Sequence, residues 1–167
     1  MVQEVPEMGR TELVHPLFVH FPIALLILGT LILLCHRSGL FRSVDGQLSF
    51  TSRLLLITGS LLSWVTVYTG ILADSVVGRE VCDPTVLEDH ERYGYYVGIL
   101  FSVVSLFEIG TYYFKTFRWK RSLGKVSLII ALGGVSLLSY EAHLGGKLVY
   151  QQAAGVHQPS KDCKEFE

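Results

Sequence analysis

Hydrophobic positions fall into four long runs along this chain, parted by short polar stretches. The runs cover about residues 16–36, 54–73, 93–114 and 126–150. Each is long enough to cross roughly 30 Å of hydrocarbon as a helix, which takes about 20 apolar residues. No strand-type alternation of useful length interrupts them, and no glycine-rich phosphate loop follows a strand. The pattern predicts an all-α fold, an integral membrane up-down four-helix bundle with short loops between antiparallel neighbours. Residues 1–14 then form an N-terminal segment, residues 15–150 the helical domain and residues 151–167 a tail.

Composition sharpens this picture. Half of the 167 residues are hydrophobic and 17% are charged, with mean hydropathy +0.42. A soluble domain carries about 25% charged residues. The net charge of −1 argues against a nucleic-acid surface, which would be basic. The partner implied is the lipid bilayer. The first apolar run is too long for a signal core, so the first helix is expected to stay in the mature protein.

Loop charge predicts orientation. The loop at residues 37–53 holds Arg37, Arg42 and Arg53 against Asp45. The loop at residues 115–125 holds Lys115, Arg118, Lys120, Arg121 and Lys125 and no acid. The loop at residues 74–92 is acidic, with Asp74, Glu80, Asp83, Glu88, Asp89 and Glu91 against Arg79 and Arg92. The first and third loops are therefore expected to face the cytoplasm, giving an N-out, C-out topology.

Topology in turn gathers the histidines. His15 and His20 enter the first span from outside, His90 lies just before the third, His143 is near the outer end of the fourth, and His157 is in the tail. Only His36 falls on the cytoplasmic side. A histidine at membrane depth is costly without a partner and marks a functional-site hypothesis. Neutral imidazole ligates haem iron, zinc and copper. His20 and His143 are expected to form an axial pair for b-type haem in the outer leaflet, with His15 and His90 as second-site or substitute ligands. The structural alternative is histidines hydrogen-bonded to neighbouring helices or interfacial water. Pro16 is expected to hold His15 in an extended conformation, and Pro22 to bend the first helix. Glu141 either orients a ligand on a neighbouring helix or takes up a proton. Glu108 is expected to pair with Lys115 or another basic loop residue.

Small residues make two stripes: Gly59, Ser63, Thr66 and Gly70 in the second span, and Gly94, Gly98, Ser102 and Ser105 in the third. Such stripes let helix backbones approach closely in lipid. Gly94 and Gly98 could also leave room for a flat cofactor. Cys82 and Cys163 are both expected outside, where a disulfide can pin the tail over the bundle mouth. Cys35 packs as a small hydrophobe. There is no CxxCH for c-type haem, no CxxC pair for structural zinc and no HExxH helix.

Three motifs, HPLFVHFPIALLILG near the start, YTGILA closing the second span and HLGGKLVY closing the fourth, resemble a bacterial membrane-protein family of unknown function with four transmembrane helices. Its members occur alone or fused to Rieske-type iron–sulfur domains. The resemblance implies the bacterial inner membrane and, through that redox company, electron transfer. No Rieske cysteine–histidine pair is present here, so a redox partner must be a separate protein or a larger membrane complex. The expectation is a cytochrome b-like subunit carrying electrons between quinol and an extracytoplasmic redox protein, rather than a stand-alone enzyme. The alternatives are a non-catalytic subunit or assembly factor, and an outer-face copper or zinc site.

Overall fold

The computed structural model describes residues 9–113 and 119–156. A 3-10 turn, Thr11–Leu13, leads into helix α1, Val14–Ser38. A second such turn, Arg42–Val44, leads into α2, Asp45–Val77. Helices α3, Pro84–Tyr113, and α4, Lys120–Gln152, complete the fold. All four are long and apolar enough to cross a membrane. At 33 residues, α2 and α4 rise roughly 50 Å. They therefore overrun the apolar runs, and polar turns project past the hydrocarbon at both ends.

His15 lies inside α1 rather than in an extended lead-in. The first four N–H groups of a helix have no intrahelical partner, so Pro16 in the first turn costs no hydrogen bond. The 3-10 turn before it supplies the entry. Gly39 closes α1 at φ +67°, a left-handed position where a Cβ would be strained.

Helix α1 packs mainly on α2 and α3 on α4, while α2–α3 and α1–α4 contacts close the ring. The core is Leu26, Leu33, Leu56, Val97, Phe101, Val104, Ala131 and Leu138. Large apolar side chains also cover the outside: Leu17 is 65% exposed, Leu61 64%, Leu106 65% and Ile129 68%. In water that surface would be a liability; in lipid it is the solvated face. Polar groups join α2 to α3 inside. Ser105 Oγ donates to the Leu56 carbonyl, Ser60 and Ser102 bond at 3.2 Å, and Trp64 Nε1 donates to Ser102 Oγ.

The two hairpins repeat one another at a constant offset of 75 residues (90 − 15, 141 − 66 and 145 − 70). Pro22, Leu26, Gly29, Thr30 and Leu33 are buried in α1; their equivalents Val97, Phe101, Val104, Ser105 and Glu108 are buried in α3. In α2, Ser52, Leu56, Gly59, Thr66 and Ala73 are buried, as are Ser127, Ala131, Gly134, Glu141 and Leu148 in α4. Leu26 fills the hollow at Gly59, and Phe101 fills the one at Gly134. Helices α1 and α3 begin at the same end. The repeat is thus parallel, with its pseudo-two-fold axis along the membrane normal.

Candidate functional site

Two side-chain clusters occupy opposite ends of this axis. The first is at the end where α1 and α3 begin. A helix carbonyl normally accepts from the N–H four residues on. On α2, the Thr66 carbonyl also accepts from the Thr69 hydroxyl at 2.9 Å and lies 3.1 Å from His15 Nδ1. Gly70 is what lets the imidazole in: a Cβ there would sit 3.2 Å from His15 Cε1. His15 Nδ1 also lies 3.2 Å from Thr69 Oγ1.

The second hairpin reproduces this arrangement. His90 Nδ1 lies 3.1 Å from the Glu141 carbonyl and 3.2 Å from Glu141 Oε1. Gly145 stands four residues beyond Glu141, and a Cβ there would meet His90 Cε1 at 3.1 Å. In both halves 51 residues separate the histidine from its carbonyl. A carbonyl can only accept, so Nδ1 carries the proton on both rings. Each neutral ring then keeps its lone pair on Nε2.

The two rings meet across the axis. Their centroids are 6.2 Å apart and their planes cross at 81°. Both rings are partly buried, and Glu141 is 8% exposed. A clasp lies at the same end: Arg10 pairs with buried Glu12 at 3.0 Å and donates to the Gly155 carbonyl at 3.3 Å. That contact ties the start of the helical domain to its finish.

His20 and His143 are placed differently from the facing pair expected from sequence. Both are exposed, on α1 and α4. His20 follows His15 by five residues, which turns it about 140° around the helix. Its Nδ1–H donates to the Pro16 carbonyl at 2.6 Å, so it has a partner on its own helix. His143 follows inward-facing Glu141 by two residues and takes another face. A Cβ at Gly98 would lie 3.4 Å from the Trp64 indole, and Gly94 faces open space. Cys82 is exposed, while Cys163 and His157 lie outside the described residues.

The other cluster is an ion pair at the opposite end. Glu108, 1% exposed, accepts from Arg37 Nη2 at 2.9 and 3.0 Å through its two oxygens and from Ser127 Oγ at 2.8 Å. Its backbone carbonyl accepts from Arg53 Nε at 3.2 Å. Gly124 makes the space, since a Cβ there would lie 2.8 Å from the Arg37 guanidinium carbon. Glu108 pairs with one of the basic residues assigned to a loop from sequence, Arg37, which the structure places at the end of α1; Lys115 lies outside the described residues.

The sequence signal for the histidine site was a doubled motif: a histidine, then Thr or Glu 51 residues on, then glycine four residues later. No curated protein matches this chain, and no solved structure does. Residues 12–158 match the family described as predicted membrane protein DUF2231. The match takes in all four helices and both clusters, and the chain belongs to that family.

Proposed function

We propose that this protein is a membrane electron-transfer subunit that holds b-type haem between His15 and His90. The observation that carries the reading is the symmetric pair of imidazoles on the bundle axis, each fixed through Nδ1 to a backbone carbonyl. Metal-ligating histidines almost always donate their other ring N–H to a carbonyl or carboxylate. His15 and His90, their rings 6.2 Å apart and each with Nε2 left out of its carbonyl bond, would be the residues that hold the haem iron. Among the described residues no group of three or more His, Cys, Asp or Glu could hold a metal ion. That disfavours zinc, which takes at least three protein ligands.

Haem would supply one-electron chemistry. The chain's own contribution is to fix both ring tautomers and to keep water from the pair with the Arg10–Glu12 clasp. Glu141 adds a second acceptor beside His90 Nδ1 and strengthens that ring as a donor to metal. Loop charge puts this site at the extracytoplasmic side of a bacterial inner membrane, between quinol and a separate redox protein. The test is a reduced-minus-oxidised spectrum of protein purified from haem-replete cells. Haem bands should appear, and His15→Ala or His90→Ala should abolish or shift them while His20→Ala and His143→Ala leave them. Absence of bands overturns the reading, and elemental analysis of the same sample would then separate a copper site from a protein without metal.

One observation favours a second reading. His15 clips α1 to α2 and His90 clips α3 to α4. In a non-catalytic subunit or assembly factor that would be their whole role. It predicts modest destabilisation in both alanine variants and no spectral change in any.

A further inference from the structure

The end of the bundle opposite the histidines opens into a groove of about 540 Å³. Its lining includes three pairs equivalent by the 75-residue offset: His36 with Thr111, Arg37 with Tyr112, and Asp45 with Lys120. The groove therefore straddles the same axis as the imidazoles. Ser49, Phe50 and Arg53 complete the part that matters here.

Its charges do not cancel. Glu108 takes Arg37, and Asp45 takes His36 at 2.7 Å. Arg53 and Lys120 have no carboxylate partner among the described residues. Arg53 is instead held by Ser49 Oγ at 3.2 Å and lies 4.8 Å over the Tyr112 ring. Two cations without a carboxylate partner among the described residues, on the wall of an open groove, suit an anion's oxygens. One wall is apolar and exposed, with Phe50 64% exposed, Tyr112 50% and Leu54 49% next to it.

We propose that this groove binds the phosphate of an anionic phospholipid headgroup. Arg53 and Lys120 supply the charge, and Phe50 and Tyr112 carry the glycerol and upper acyl chain down into the membrane. Basic pockets between transmembrane helices on the cytoplasmic side take such headgroups. That is the side to which loop charge assigns this end. A soluble phosphate would meet the same cations but would gain nothing from the apolar wall.

The experiment is native mass spectrometry of the full chain released from detergent, with phosphatidylglycerol and phosphatidylcholine offered in equal amounts. Phosphatidylglycerol should be retained preferentially. Lys120→Gln should cut that preference about fivefold, the effect of one basic side chain at an anionic surface. Lys120 is exposed and makes no hydrogen bond or ion pair among the described residues, so this variant should fold whatever Arg53→Gln does. Arg121→Gln, next to it but outside the lining, should leave the preference intact. Equal retention of both lipids overturns the proposal. An equal effect of Arg121→Gln overturns it too, because general surface charge would then suffice. Loss of the preference on adding inorganic phosphate at the same concentration as the lipid also overturns it, in favour of a free-anion site.

Discussion

The first hairpin and the second are the same object at some positions and different objects at others. Both seat a histidine on a glycine and tie it to a carbonyl. Both press a bulky side chain into a glycine, Leu26 on Gly59 and Phe101 on Gly134. Both bury a serine at the far end, Ser52 and Ser127. The differences are chemical. Where the first hairpin has Leu33 and Thr66, the second has Glu108 and Glu141, all four buried. Shared features are what the two-fold ring of helices needs in order to close. The carboxylates are what the second half adds, one at each end of the axis.

The largest test of that division is at Glu108. Arg37→Ala leaves a carboxylate at 1% exposure without its counter-ion. Breaking a buried pair on one side costs about 3–5 kcal/mol. Denaturation in detergent should show a loss of that order. Replacing both partners, Arg37→Met with Glu108→Leu, makes the second half resemble the first and should recover most of the loss, because apolar replacement of a buried pair is often neutral. If the double variant is as unstable as the single one, the pair does more than balance charge. Gly124→Ala should reproduce part of the single loss, because its Cβ would displace the pinned guanidinium.

Next in size are the matched glycines. A Cβ at Gly59 would lie 2.8 Å from Leu26 Cδ2, and one at Gly134 would lie 3.0 Å from Phe101 Cε2. Overpacking of this kind costs about 1–3 kcal/mol. Gly59→Ala and Gly134→Ala should each fall in that range by the same denaturation assay. A negligible cost at either one would mean that the halves do not close on equivalent contacts.

How much of this was legible differs between fold and site. Four spans, their order and the small-residue stripes follow from runs of apolar residues, which lipid demands of any crossing helix. The rotation of each helix does not follow. In a soluble bundle the apolar stripe points inward. Here Leu17 faces outward and Leu26 inward, and hydrophobicity cannot tell them apart. His20 therefore looked as good an interior residue as His15. What separates them is the partner, Gly70 with the Thr66 carbonyl, 51 residues from His15 and on another helix. The repeat would have shown this. It hides because few identities survive across it: the histidine, two glycines, a serine and four leucines keep their identity, and leucine pairs are common by chance in so apolar a chain.

A smaller effect is expected at the acceptors of the two histidines. Thr69→Ala removes the hydroxyl from His15 and leaves the Thr66 carbonyl in place. Interhelical hydrogen bonds inside membranes average about 0.6 kcal/mol. Thr69→Ala should cost about that much. Glu141→Gln keeps a side-chain oxygen near His90 and should cost less than Glu141→Ala. If Thr69→Ala proves as severe as Arg37→Ala, the histidine end is a structural keystone and the second functional reading gains.

The smallest difference lies where the hairpins begin. Helix α1 has no side-chain cap and starts through its 3-10 turn. Helix α3 begins at Pro84, with Asp83 before it accepting from the Thr85 hydroxyl at 2.6 Å and the Thr85 N–H at 3.0 Å. Those bonds favour the carboxylate, the hydroxyl most, and hold the Asp83 pKa below its ordinary 3.8. The sign follows: a lowered folded value gives a contribution that is full above the unfolded pKa and is lost as pH falls through the folded one. A carbon-13 titration of the Asp83 carboxyl should therefore show a midpoint below 3.8. Thr85→Val should move it upward, and Asp83→Asn should hold the cap at every pH, since asparagine caps as well as aspartate. A midpoint at or above the ordinary value would mean that α3, like α1, starts without a cap, and that the two hairpins are alike even where they enter the membrane.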